Sequence, residues 1–365
     1  MVASLRGRML DLDHRPLVAI WEVTRACDLR CLHCRASATT CRDPRELSTA
    51  QALALVDQLA ELAPGVLVLT GGDPLKRPDL FEIIDRAVAR QLAVAIAPSV
   101  TPLLTAGAIE RLAGPVGRIA LSLDGPDAAL HDGLRGVDGS FAATLEAIAT
   151  TRAAGLPLQL NTSLTARTVG ALPAIGALVE TLAPALWSVF FVVPVGRATA
   201  GQTLDAAACE RVFHFLYDWS ARTGLAVKTT AAPAYRRVVL QRDAARGAAR
   251  PRRPPLLPVN DGKGFVFVSH RGKVFPSGFL PLVVGDVTRR PVAEIYRRSP
   301  LLRALRLEHL LGGKCGRCPF RALCGGSRAR AYAATGNVFA EDPACSYVPP
   351  RGRARDPVAS PGVEP

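Results

Sequence analysis

From Leu17 to about Val195, short apolar runs alternate with amphipathic stretches. The runs Leu17–Val23, Val66–Thr70, Ala93–Pro98, Arg118–Leu123, Leu158–Leu164 and Ser188–Val193 have strand length. Between them, apolar residues recur at helical spacing over Thr49–Leu62, Leu80–Arg90, Ala106–Ala113, Phe141–Ala154 and Leu172–Leu182. Ser48 and Thr105 stand as N-caps. Strand–helix repeats of this kind predict an α/β fold, a parallel sheet covered by helices and curled into a partial (β/α)6 TIM-like barrel. Ligands of such a barrel gather at the C-terminal ends of its strands.

Past residue 200 the pattern changes. A helix is expected over Asp205–Thr223, carrying His214, followed by an irregular Arg/Pro-rich linker from about Arg236 to Pro258. Gly264–Ser269 and Lys273–Pro276 flank the turn His270-Arg271-Gly272 and read as a hairpin. A helix near Val292–Leu307 leads into a run of cysteines, and the Pro/Arg/Gly tail after Tyr347 reads as disordered. The expected division is an extension (1–16), a core barrel (17–200), a helix and linker (201–258), a small C-terminal domain (259–348) and a tail (349–365).

With 49% hydrophobic and 5% aromatic residues in 365, the chain builds a globular core from Ala, Leu and Val. Leu186–Val195, the most apolar segment, is too short to cross a membrane, and Met1–Arg15 has no apolar signal region, so the cytoplasm is the expected location. The net charge of +14 raises nucleic acid as a partner. Seven arginines, however, crowd between Arg236 and Arg253 with no aromatic residues interleaved for base stacking. Nucleic-acid binding is therefore not expected, whereas an acidic substrate would be attracted.

The chemistry lies in the cysteines. Cys27, Cys31 and Cys34 are spaced C-x3-C-x2-C directly after the first strand. Three thiolates can hold three corners of a cubic iron–sulfur cluster and leave one iron open, as a catalytic metal requires; a structural zinc loop is the alternative. Cys315, Cys318, Cys324 and Cys345 form a second set, suited to a fully ligated cluster or to structural zinc. Cys41 and Cys209 read as ordinary thiols, Cys41 being the nearer to the first cluster. The second strand ends in Thr70-Gly71-Gly72-Asp73-Pro74. The fourth ends in Leu121-Ser122-Leu123-Asp124-Gly125, followed by His131-Asp132 and Arg135-Gly136.

These motifs resemble the radical S-adenosylmethionine (SAM) superfamily, and the resemblance spans Leu17 to Tyr347. It implies that SAM chelates the open iron of a [4Fe–4S] cluster held by Cys27, Cys31 and Cys34. Reductive cleavage would then yield a 5′-deoxyadenosyl radical that abstracts hydrogen from the substrate. Gly71, Gly72 and Asp73 would accept from the SAM amino group, with Asp in place of the commoner Glu. Ser122 or Asp124 would lie near the ribose, Arg135 would pair with the SAM carboxylate, and Asn161 would face the pocket. His33 would pack on the adenine, and His131 would be a structural hydrogen-bonding residue.

The second cysteine set resembles a SPASM extension, which in full binds two auxiliary clusters. Here two of the expected cysteine positions hold Ser277 and Arg328. One auxiliary [4Fe–4S] cluster is therefore expected, two in total. Cys-Leu-His-Cys-Arg-Ala-Ser-Ala is similar to enzymes of haem and haem d1 biosynthesis, which favours modification of a tetrapyrrole side chain, with decarboxylation as one form. The alternatives are maturation of a ribosomally made peptide or a non-enzymatic iron–sulfur scaffold on nucleic acid. A low-potential donor such as flavodoxin or ferredoxin would supply electrons.

Overall fold

The computed structural model describes residues 11–247 and 256–350. In chain order the strands are β1 (Val18–Thr24), β2 (Val66–Gly71), β3 (Val94–Ile96), β4 (Arg118–Ser122), β5 (Leu158–Leu164), β6 (Leu186–Phe191), β7 (Val227–Thr230), β8 (Phe265–Val268), β9 (Lys273–Phe275) and β10 (Gly285–Asp286). The helices of the first half are α1 (Thr49–Leu62), α2 (Leu80–Ala89), α3 (Ala106–Ala113), α4 (Ala128–Arg135), α5 (Ser140–Ala153) and α6 (Leu172–Leu182). They are followed by α7 (Ala206–Thr223), α8 (Tyr235–Ala245), α9 (Val292–Arg298), α10 (Pro300–Ala304), α11 (Gly313–Arg317) and α12 (Arg328–Thr335).

All ten strands join one sheet in the order β10-β9-β8-β1-β2-β3-β4-β5-β6-β7, parallel from β8 through to β7. Ser48 caps α1 in a reciprocal capping box, and Thr105 caps α3. Side chains alternate across each strand. One face carries Trp21, Val23, Leu67, Leu69, Leu121, Leu160, Trp187 and Val189, all fully buried. By register the other face carries Ile20, Val68, Ala95, Ser122, Asn161, Phe190 and Thr230, all partly exposed. The side chains of that inner face therefore stay partly open to solvent.

Four features depart from the sequence-based expectation. The sheet has ten strands because β8 of the C-terminal hairpin pairs in parallel with β1, from Val18↔Phe265 to Trp21↔Val268. This covers an edge that would otherwise expose unpaired backbone. On the far side β7, with the polar sequence Val-Lys-Thr-Thr, extends β6. The first part of the supposed linker is the helix α8, held by ion pairs from Arg237 to Glu210 (2.5 Å) and from Arg242 to Asp218. Residues 248–255 of that linker and 351–365 of the tail lie outside the described residues. Finally, Ser299-Pro300 divides the expected helix over Val292–Leu307 into α9 and α10.

Candidate functional site

The cysteine loop leaves the C-terminal end of β1 and is tied down from two sides. Backbone N–H groups of Arg30 and Leu32 donate to the carbonyls of Arg135 (3.0 Å) and Leu134 (3.0 Å) at the end of α4. Gly136 makes that approach possible: its φ is +70°, and a Cβ there would lie 2.8 Å from the Arg30 carbonyl. Opposite, Arg197 donates from Nε to the Cys31 carbonyl (2.9 Å), from Nη1 to the Ala38 carbonyl (3.0 Å) and from its backbone N–H to the Cys34 carbonyl (2.9 Å). Gly196 also has a φ of +70°, and a Cβ there would meet the Arg35 carbonyl at 2.3 Å. Sequence reasoning missed both residues. Their one signal was a glycine followed by arginine just past the sixth strand.

So held, Cys27 and Cys31 are buried and Cys34 half-buried, in a small cluster with Leu29, Ala38 and Val137. Ser99 donates to the Gly72 carbonyl (2.8 Å) and sits 3.3 Å from Cys27 Sγ. The Arg135 guanidinium lies 3.7 Å from Cys31 Sγ. Burial pushes the Cys27 and Cys31 thiols above their ordinary values, so metal must displace their protons. Among the described residues no three His, Cys, Asp or Glu side chains close on a single metal ion.

The glycine pair at the end of β2 serves the backbone. A Cβ on Gly71 would lie 2.4 Å from the Thr24 carbonyl, and one on Gly72 2.4 Å from the Ala26 carbonyl. The Asp73 carboxylate is buried, accepting from Thr101 Oγ1 (2.7 Å) and the Leu75 N–H (3.1 Å). Asp124 is buried too. It accepts from the Ser163 N–H (2.6 Å) and ion-pairs with Arg135, while its own N–H donates to His131 Nδ1 (3.2 Å). Ser122 and Asn161 are register partners on the inner face, partly exposed to the lumen. Burial holds the His33 pKa down to about 4, so the ring is neutral, and its Nδ1 is buried without a hydrogen-bond partner. Cys41 is exposed, and Cys209 is a buried thiol pushed up to about 12 by desolvation.

A buried polar network joins this loop to the C-terminal hairpin. Glu22 at the end of β1 accepts from Arg35 Nη2 (2.7 Å), the residue after Cys34, and lies 2.8 Å from His270 Nδ1. His270 Nε2 lies 3.4 Å from Asp43, which also pairs with Arg271. Against the cost of burial, Arg35 and His270 hold the Glu22 carboxyl below its ordinary value.

The second cysteine set lines one cavity. Cys315, Cys318, Cys324 and Cys345 face it together with Gly325, Gly326, Arg237 and Tyr347. Gly326 has a φ of +66°, and a Cβ there would crowd Cys315 Sγ at 2.9 Å. Arg328 is buried beside them. It donates to the carbonyls of Val338 (2.8 Å), Ala340 (2.7 Å) and Gly326 (3.2 Å), with Cys315 Sγ 3.7 Å away. At the other altered position, Ser277 Oγ accepts from the Phe279 N–H (3.2 Å). At both positions the side chain found is bonded within the local structure.

A parallel barrel with a tethered three-cysteine loop at its C-terminal rim defines a SAM-cleaving iron–sulfur enzyme class. Residues 21–169 match the Radical SAM superfamily. The chain is 38% identical over 344 residues to the AdoMet-dependent heme synthase of Nitratidesulfovibrio vulgaris (strain Hildenborough), covering 91% of this chain and 92% of the relative. It is 37% identical to the AdoMet-dependent heme synthase of Methanosarcina barkeri (strain Fusaro), covering 93% and 99%. Streptococcus suis SuiB shares the fold at 16% identity, covering 92% of this chain. The TM-score is 0.71 for its S-adenosylmethionine-bound form, spanning 78% of that chain, and 0.70 for its form bound to the precursor peptide SuiA, spanning 76%. The chain belongs to the radical SAM superfamily and is an enzyme that uses SAM and a [4Fe–4S] cluster. Among the described residues no helix is long and apolar enough to cross a membrane.

Proposed function

We propose that this enzyme modifies a haem-type tetrapyrrole, acting on a carboxylate-bearing side chain. The observation that carries the reading is full-length similarity to relatives named heme synthases, where SuiB offers likeness of fold alone. The cluster and SAM, when bound, supply a hydrogen-abstracting radical. Cys27, Cys31 and Cys34 would hold the cluster. The carbonyl edge of Gly71 and Gly72 would take the SAM amino group, because the Asp73 carboxylate is already bonded to Thr101 and Leu75. Arg135 would carry the SAM carboxylate and Asp124 would orient it, with Ser122 and Asn161 lining the lumen nearby. His33 offers a neutral ring for the adenine.

Cys315, Cys318, Cys324 and Cys345 would hold a second [4Fe–4S] cluster, and a flavodoxin- or ferredoxin-type donor would reduce the enzyme. The arginine-rich stretch does not support a nucleic-acid scaffold: Arg236, Arg237 and Arg242 are bonded to Leu323, Glu210 and Asp218. Peptide maturation is the second reading, favoured by the fold shared with the peptide-bound SuiB structure.

The test is anaerobic turnover of reconstituted, reduced enzyme with SAM and iron-coproporphyrin III, following 5′-deoxyadenosine and porphyrin mass together. A rise in deoxyadenosine coupled to loss of carboxyl mass supports the reading. Deoxyadenosine formed while the tetrapyrrole stays unchanged turns the assignment towards peptides.

A further inference from the structure

We propose that Lys228 and Arg118, projecting into the barrel lumen, are the carboxylate anchors of the substrate, gripping the acidic side chains of the tetrapyrrole. The inference rests on the tetrapyrrole reading above and specifies how the substrate is held.

The placement follows from strand register. Ser122 on β4 pairs with Asn161, Asn161 with Ser188, and Ser188 with Lys228, so Lys228 completes a row that crosses the inner face beside the cofactor site. Arg118 lies on the same face of β4, four residues before Ser122. Its Nη1 donates to Gln159 (3.3 Å), which donates in turn to Asn161 (2.7 Å). Lys228 is exposed to solvent on this face, with Arg118 near enough to act on its charge.

Neither cation has an acidic partner. Among the described residues, every ion pair formed by a lysine or arginine omits Lys228 and Arg118. Burial first, and then repulsion from the nearby Arg118, bring the Lys228 ammonium down to about 8. Burial likewise lowers Arg118. Two neighbouring positive charges with no acidic partner repel each other and are relieved when an anion binds between them. Of the other charged groups near the site, Glu22 pairs with Arg35 and Arg135 pairs with Asp124. A substrate with several carboxylates supplies what the lumen lacks. The remaining inner-face positions suit its apolar body, since Ile20, Val68, Ala95 and Phe190 stay partly exposed there. SAM has a single carboxylate, for which Arg135 stands beside the cysteine loop, 3.7 Å from Cys31 Sγ.

The experiment is absorbance titration of iron-coproporphyrin III into the anaerobically reconstituted enzyme. It compares the natural chain with Lys228→Met, Arg118→Met and Lys228→Arg, each first checked for iron content and circular dichroism. A charge-assisted bond contributes roughly 1.5–3 kcal/mol, so each Met variant should bind about ten- to a hundredfold more weakly. Lys228→Arg should stay within about threefold of the natural chain, a shift below one such bond. The tetramethyl ester of the same porphyrin, having no charge to lose, should bind all four proteins alike. Equal binding of the acid by natural and Met proteins overturns the anchor assignment and leaves the tetrapyrrole reading standing. So does weakening that is equal for acid and ester, or a loss confined to SAM binding. No porphyrin binding by the natural chain defeats both.

Discussion

Arg135 bridges Asp124 and Cys31: its guanidinium ion-pairs with the buried Asp124 carboxylate and lies 3.7 Å from the Cys31 thiol. Asp124 in turn is fixed by the Ser163 N–H at 2.6 Å. One cation thus compensates a buried carboxylate and stands beside a thiol of the proposed cluster. Arg135→Met leaves Asp124 charged and alone in the interior, which costs about 3–5 kcal/mol. It also removes positive charge next to a group that gains an electron on reduction. The variant should unfold at lower denaturant, and any cluster it holds should have a more negative reduction potential. Arg135→Lys should restore the potential in part, keeping the charge while losing the planar fork. An unchanged potential in Arg135→Met would separate Arg135 from the cluster.

The two cysteine sets should load independently, because they lie on separate elements with their own arginines, Arg135 and Arg328. Replacing Cys27, Cys31 and Cys34 together by Ala should abolish deoxyadenosine formation and remove about four of the eight irons of two cubic clusters. Replacing Cys315 and Cys318 by Ala should remove a similar number while leaving the spectrum of the first cluster in place. Iron and sulfide analysis of both variants decides it. Retention of zinc in place of iron at the second set would overturn the auxiliary-cluster assignment.

Gly196 tests the strap over the cysteine loop. Gly196→Ala places a Cβ 2.3 Å from the Arg35 carbonyl at a left-handed φ of +70°. The left-handed backbone alone costs about 1–2 kcal/mol. Relief of the clash must push the Cys34–Arg35 turn outward. Reconstituted Gly196→Ala should hold less iron at the first site and cleave SAM at least about tenfold more slowly, as a displacement near 1 Å would cause. Gly201→Ala, where a Cβ meets nothing within 4 Å, is the matched control and should behave as the natural chain does.

Much of this site could be read from the chain because close spacing in sequence forces closeness in space. C-x3-C-x2-C puts three thiols in one loop whatever else happens, and short continuous apolar runs such as Val66–Thr70 declare a buried strand. What escaped depends on contacts between distant segments. Nothing local marks Arg197 as the clamp of a loop more than 150 residues earlier. Nothing local shows that Glu22 meets His270 across the junction of barrel and hairpin. The strand β7 was illegible because Lys228 and Thr230 lie on the partly exposed inner face and Thr229 breaks the apolar run on the other, so the apolar signature of a parallel strand is missing. The paired glycines at 71 and 72 have a second reason to be glycine that the chain does not announce, since a Cβ on either would strike the carbonyl of Thr24 or Ala26.

Lys228 also sets a pH dependence with a definite sign. Burial first, and then Arg118, bring its pKa in the free enzyme to about 8. Below that value the ammonium is charged and can hold a carboxylate. Above it the free enzyme is increasingly neutral at this position, and binding the anion must first recover a proton. Affinity for iron-coproporphyrin III should therefore be level from about pH 6.5 to 7.5 and fall as pH rises through 8. The decline approaches tenfold per pH unit once Lys228 is mostly neutral, since one proton is then taken up per carboxylate bound. The porphyrin carboxylates are ionised throughout, so they add no slope. Lys228→Arg should stay level over the same range because a guanidinium does not titrate there. Lys228→Met should be level and weak. A natural enzyme with flat binding from pH 7 to 9.5 would show that Lys228 carries no charge to the substrate.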